Sequence, residues 1–175
     1  MSNQLKPAVD GQDHSQGAQG APLVLVEYGD YQCSYCGEAY PAIKAAQQEL
    51  GDKLQFVFRN FPLAEAHPNA QQAALAAEAA AQQGKFWEMH DALYEHQNQL
   101  DSAQLAQHAQ QVGLDVDQFK SDLQAKAGAD KVEADFESGV RSGVNGTPAF
   151  FVNGQLYNGN WQDGELLSFL QSQLQ

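Results

Sequence analysis

The sequence predicts an α/β domain interrupted by an all-helical insertion, and three observations carry that prediction. A continuous apolar run, Leu23 to Tyr28, gives way at Cys33-Ser34-Tyr35-Cys36 to a stretch of helical character, and a second strand-like run follows at residues 54–60. From His67 to about Gly143 the apolar spacing is that of amphipathic helices almost throughout. Strand character then returns at residues 149–152 and meets Asn153-Gly154, a strong hairpin signal. The chain thus divides into a flexible N-terminal segment (1–20), an α/β domain in two pieces (21–66 and 131–175) and an inserted helical subdomain (67–130).

Composition narrows the function classes. A chain of 175 residues is one domain with an insertion, large enough to bury a core. A formal charge of -13 with only 9 Lys+Arg excludes the basic patch that nucleic acid or an anionic membrane surface would require. No apolar run approaches the roughly 20 residues that cross a bilayer. The first twenty residues are polar and rich in Gly and Gln, with neither a cationic start nor an apolar h-region, so no secretory signal is visible. The expected location is cytoplasmic, or periplasmic if a signal was trimmed. No dimerisation stretch is evident, and a monomer is expected.

Taken in order, residues 1–20 carry Gly11, Gly17 and Gly20 amid Gln, Asp and Ser and read as loosely docked. Leu23–Tyr28 reads as a buried central strand, and residues 37–50 as a helix closed by Gly51-Asp52-Lys53. Leu54 to Asn60 is a second strand, parallel to the first through the intervening helix, and Pro62 ends it. Pro68 opens an Ala-rich helix ending near Gly84. Four further stripes follow: Phe86, Met89, His90 and Leu93; Leu105, His108 and Val112; Val116, Phe119 and Leu123; and Val132, Phe136 and Val140. Core packing accounts for all four, and for Trp87 and Tyr94. A closing helix places Leu166, Leu167, Leu170 and Leu174 on one side.

The chemistry concentrates at the only two cysteines. They stand where a buried strand passes into a helix N-terminus, whose unpaired N–H groups stabilise a thiolate, the species that attacks disulfides. Cys33 lies at the lip of the loop and is the natural nucleophile; Cys36, one turn further in, is the resolving thiol. Two unrelated core cysteines are the plain alternative. A structural zinc needs about four ligands, and His14, His67, His90, His96 and His108 have no metal spacing relative to the pair. An iron–sulfur or metal site shared across a dimer is a remaining alternative. His90 and His108 read as core or boundary residues, His96 as exposed, and His67 as a helix cap. Glu27 interrupts the apolar strand six residues before Cys33. It is either a strand-end surface carboxylate or a buried proton acceptor for Cys36, its pKa raised by desolvation. Pro148 stands at the start of a strand, where a cis bond would leave Thr147 extended and unpaired for a substrate chain.

Cys33-Ser34-Tyr35-Cys36 after a strand, a long helical insertion and Gly146-Thr147-Pro148 before a hairpin together resemble the DsbA-like thiol–disulfide oxidoreductases of the thioredoxin superfamily. The likeness covers residues 13–174 and includes Val26-Glu27-Tyr28-Gly29-Asp30, Phe58-Arg59-Asn60-Phe61-Pro62-Leu63 and His67-Pro68. It implies a thioredoxin fold with an inserted helical subdomain, Cys33 as nucleophile, Cys36 as resolving thiol, Glu27 as the superfamily's buried acid and Thr147-Pro148 as a cis-proline loop. Ser34 and Tyr35, with Thr147 and Pro148, would meet the substrate. The archetype's Pro-His is replaced by Ser34-Tyr35, which offers no cation to the thiolate. The implied partners are protein or peptide thiols and disulfides and a redox recycling partner, with no cofactor beyond the Cys33–Cys36 disulfide and no metal. Some relatives of this kind are domains fused to membrane transporters. The competing function is a peptide-binding holdase whose affinity is switched by redox state.

Overall fold

The computed structural model describes residues 3–175. Five strands form one mixed sheet in the order β1-β3-β2-β4-β5. Central strand β2 (Leu23–Gly29) runs parallel to β3 (Leu54–Asn60), with Leu25 opposite Phe56 and Glu27 opposite Phe58. On its other side β2 pairs antiparallel with β4 (Ala149–Val152), and β4 with β5 (Gln155–Tyr157). The β4–β5 turn has Asn153 at φ 49 and Gly154 at φ 85. Both central residues are left-handed, the geometry that matches the twist of a hairpin and that Asn-Gly supplies at least cost.

Alternation along the strands sorts side chains into two layers. Leu23, Leu25, Phe56, Phe58 and Phe150 face one core, beneath α1 (Ser34–Leu50), α3 (Phe86–Glu95) and α7 (Glu165–Ser172). Val26, Tyr28, Val57 and Phe151 face the other, against the N-terminal segment and Phe136 of α6 (Ala129–Arg141). By the same alternation Glu27 lies on the α1 side, the face that carries the cysteines.

The helices α2 (Ala70–Gln82), α3, α4 (Ser102–Gln111), α5 (Val116–Gln124) and α6 all stand between β3 and β4. This is α/β architecture with a helical insertion, as the periodicity predicts. In α2 the alanines allow close packing, and they enclose one acid. Glu78 is buried and accepts from His14 Nε2 (2.9 Å) and Asn60 Nδ2 (3.0 Å).

Three expectations need correction. The N-terminal segment is not loosely docked over residues 3–20; Met1 and Ser2 lie outside the described residues. His14–Gly17 forms β1, antiparallel to β3, and the Leu5 N–H donates to the Gly154 carbonyl at 2.9 Å. The physical reason is Arg59. Its inward-facing guanidinium needs a counter-charge, and Asp13 supplies one through two hydrogen bonds of 2.8 and 2.9 Å, with Pro7 and Ala8 carbonyls completing the fork. In α6, Val140 is 57% exposed and the buried residues are Val132, Asp135, Ser138 and Gly139. The helix is turned so that Gly139 meets the rings of Phe61 and Tyr28, where any Cβ would come within 2.7 Å of Phe61. Asp135 then accepts from the Asn60 backbone and side-chain amides at 2.9 Å. Finally, His96 is half-buried rather than exposed, its Nδ1 donating to the Ala92 carbonyl at 2.8 Å.

Candidate active site

The two thiols stand where β2 hands over to α1. Asp30, just past β2, organises the connection. Its carboxylate accepts from the Gln32 N–H (2.8 Å), the Leu63 N–H (3.0 Å) and His67 Nδ1 (2.7 Å), while its carbonyl accepts from the Cys33 N–H. His67 therefore clamps the loop before the thiols instead of capping α2, whose N-cap is Asn69. Gln97, from beyond α3, fixes the other side by donating to the Tyr31 and Cys33 carbonyls at 2.9 and 2.8 Å. Sequence reasoning missed Asp30 and Gln97 as loop-setting groups. The detectable signal was an acid and a histidine flanking two consecutive strand ends.

Cys33 is the N-cap of α1, with extended backbone (φ -72, ψ 124), and Cys36 sits on the first turn. Both are free thiols. Cys36 is fully buried, and Cys33, expected at an open lip, is itself only 5% exposed because the loop before β4 covers it. In that loop the Thr147–Pro148 peptide bond is cis. The Cys33 thiol donates to the Thr147 carbonyl across 3.7 Å, although 114 residues separate them in sequence. Sheet pairing begins only at Ala149, opposite Tyr28, so Thr147 stands outside the ladder. Its buried hydroxyl is left to the Cys33 sulfur, with no other partner among the described residues. Ser34 and Tyr35 face solvent, Tyr35 being 60% exposed.

The electrostatics divide the pair. Cys33 is pushed down from 9.0 to about 5, chiefly by the hydrogen bond from the Cys36 thiol, with help from the Thr147 side chain and the backbone N–H groups of Cys36 and Tyr35, against the opposing effect of burial. Cys36 is pushed well up by burial first, then by its bond to Cys33 and the charge of Glu27. Glu27 is 3% exposed and raised from 4.5 to about 8, by desolvation and then by the negative charge at Cys33. The predicted residues Cys33, Cys36, Glu27, Thr147 and Pro148 thus come together, and Ser34 and Tyr35 form the rim. His90 is buried beneath them as a neutral acceptor for Tyr31, its pKa held well below the usual range by burial. His108 is likewise a core group, donating to the Gln99 carbonyl at 2.8 Å. Among the described residues no group of three or more His, Cys, Asp and Glu side chains is placed to hold a metal ion.

This fold and paired-thiol site place the chain among the DsbA-like proteins of the thioredoxin superfamily. A family model described as thioredoxin matches residues 9–172, and the chain belongs to that family. BdbD from Bacillus subtilis superposes with a TM-score of 0.84 at 26% identity, covering 99% of this chain and 97% of that one. A thioredoxin-like oxidoreductase from Silicibacter pomeroyi gives 0.81 at 28% identity, with 94% and 91% covered. In sequence the chain is 44% identical over 155 residues to the Na(+)/H(+) antiporter NhaA 3 of Salinispora tropica, covering 89% of this chain but 24% of the antiporter. It is 41% identical over 170 residues to NhaA 1 of a Mycobacterium species, covering 96% and 28%. The chain therefore spans about a quarter of the length of the curated relatives it matches. These relatives overturn the expectation of a cytoplasmic location: they are membrane antiporters, and the solved neighbours are DsbA-like. Leader composition alone says nothing of the company such a domain keeps. Among the described residues no helix is long and apolar enough to cross a membrane.

Proposed function

We propose that this chain exchanges disulfides with protein or peptide substrates through Cys33 and Cys36. The observation that carries the reading is the asymmetry of the pair: a thiol near pH 5 under a solvent-facing loop, beside a fully buried thiol held well above the usual range. The Cys33 thiolate attacks one sulfur of a substrate disulfide, and the bond breaks to leave a mixed disulfide and a substrate thiolate. Charge at Cys33 is thereby lost, which removes one of the two influences raising Glu27 and lets its carboxylate form. Glu27 takes the Cys36 proton; the Cys36 thiolate attacks Cys33 Sγ, closing the 33–36 disulfide and expelling the second substrate thiolate. The substrate gains two electrons and the dithiol loses them. In reverse, Glu27 protonates the departing Cys36, a task suited to an acid near neutrality.

The unpaired Thr147 backbone beside Pro148 binds the substrate chain in this reading, and the exposed Ser34 and Tyr35 meet its flanks. A stabilised Cys33 thiolate favours the reduced form, so the pair leans toward donating its disulfide, with a recycling partner to reoxidise it. The holdase alternative needs a contiguous apolar surface. Tyr35 and Val140, on separate elements, are the large hydrophobic residues exposed among those described. The test is insulin reduction and refolding of a scrambled disulfide substrate. Cys33→Ser should abolish both, and Cys36→Ser should trap substrate on Cys33. Full activity in Cys33→Ser would sink the proposal.

A further inference from the structure

Around the thiols, several polar groups have a hydrogen-bond partner. The Tyr31 hydroxyl donates to His90 Nδ1 (2.9 Å), the Tyr40 hydroxyl to Glu95 (3.0 Å), and the Asp30 carboxylate is filled by Gln32, Leu63 and His67. Two groups near the end of β2 make no hydrogen bond among the described residues. The Tyr94 hydroxyl, on α3, is buried without any partner. The Glu27 carboxyl, on β2, makes no hydrogen bond among the described residues and is 3% exposed. Both converge on Gly29: a Cβ there would lie 2.7 Å from the Tyr94 hydroxyl and 3.1 Å from Glu27 Oε2. A glycine at the end of β2 leaves room for the two oxygens to approach, and no other side chain would.

A hydroxyl beside a buried acid matters most when that acid is ionised. When Glu27 is protonated, Tyr94 can stay idle. When Glu27 ionises, its carboxylate sits in an apolar surround and needs a donor. We infer that the Tyr94 hydroxyl, supplied by the helical insertion, is the hydrogen-bond donor to the Glu27 carboxylate when Glu27 is ready to take the Cys36 proton. Tyr94 is thus a positioning residue for the resolving step. The inference deepens the proposed function and rests on its reading of Glu27.

Other groups face the pair and must be separated from it. Cys33, Cys36 and Tyr40 project from α1, Asp30 and Tyr31 from the loop after β2, and His90 from α3. The charge of Glu27 is felt at Tyr94 and at Cys36, and that of Cys36 at Tyr94. Asp30, Tyr31, Tyr40 and His90 are held in the bonds already described, and His90 stays neutral. Glu27 and the thiols are the groups that pass the proton in this step.

Tyr94→Phe is the discriminating variant, because the ring contacts with Tyr31 (4.8 Å), His90 (5.1 Å) and Tyr40 (5.5 Å) are retained. The resolving rate of a preformed mixed disulfide on Cys33 is followed against pH in the parent, Tyr94→Phe and Glu27→Gln. A charge-assisted bond favours the carboxylate, so its loss moves the midpoint of the pH profile up by about one unit and slows resolution near neutrality up to about tenfold. Glu27→Gln should remove that limb altogether. If Glu27→Gln removes the limb and Tyr94→Phe leaves its midpoint in place, the Tyr94 inference fails and the Glu27 reading stands. If Glu27→Gln leaves the limb intact, the Glu27 reading fails and takes the inference with it. A check that needs no substitution is carbon-13 NMR of the unaltered disulfide form. There the Tyr94 ring carbon bearing the hydroxyl should shift with the Glu27 midpoint, and a carbon that stays still through that titration overturns the inference.

Discussion

Removing the Cys36 thiol should raise the pKa of Cys33, and by an amount the structure fixes within limits. Cys33 is displaced from 9.0 to about 5, and the first cause is the hydrogen bond it receives from Cys36. A hydrogen bond to a charged group is worth about 1.5–3 kcal/mol, which corresponds to about one to two pKa units. Cys36→Ala deletes that donor while leaving the Cys36 and Tyr35 backbone N–H groups and the Thr147 side chain in place. The Cys33 midpoint should therefore rise to about 6–7 and stop short of an ordinary thiol. Cys36→Ser retains a hydroxyl donor and should stay nearer the parent value. The assay is thiolate absorbance in the ultraviolet against pH, checked by the pH dependence of alkylation at Cys33. If Cys36→Ala titrates near pH 5 like the parent, then the helix terminus and Thr147 hold the thiolate, and the partition of causes described here is wrong.

Two further outcomes concern stability. Glu27→Gln should stabilise the reduced form near neutral pH by about 1–3 kcal/mol, because a buried acid raised from 4.5 to about 8 contributes stability that is intact below its unfolded value and lost as the pH climbs toward its folded one. Denaturant titrations should show the gain vanishing near pH 4; a gain of the same size there would contradict the sign. Asp13→Ala should cost about 3–5 kcal/mol, since it leaves the Arg59 guanidinium, with a side chain 3% exposed, buried and unpaired. Asp13 is itself held below the usual carboxylate range; its own burial pushes the other way, and the Arg59 hydrogen bond prevails. Its contribution is present above the unfolded value and lost as the pH falls through the folded one. A loss under about 1 kcal/mol would mean that water reaches Arg59.

Much of the site was legible before any coordinates. The apolar run into Cys33 located a helix N-terminus under the thiols, and an acid interrupting that run singled out Glu27, with burial and a surface position both left open. Asn153-Gly154 identified the hairpin, and Ala-rich α2 and the stripes of α3 to α5 followed from apolar spacing. These are local properties: propensity, period and turn chemistry act over a few residues, so they are written in order along the chain.

What local pattern could not decide is which distant groups meet. Polar residues 3–20 resemble a free tail until Arg59 requires Asp13, and α6 is turned by Gly139 and Asp135 against the apolar stripe that Val140 suggested. Thr147 reaches Cys33, and Tyr94 and Glu27 come to the same side of Gly29, only through the sheet and the insertion. The sequence by itself determined the order of elements from β2 onward and the paired thiols at a helix start. Tertiary structure decided how each buried charge and hydroxyl is satisfied, because such groups are costly alone and their partners are set by packing, not by neighbours in the chain.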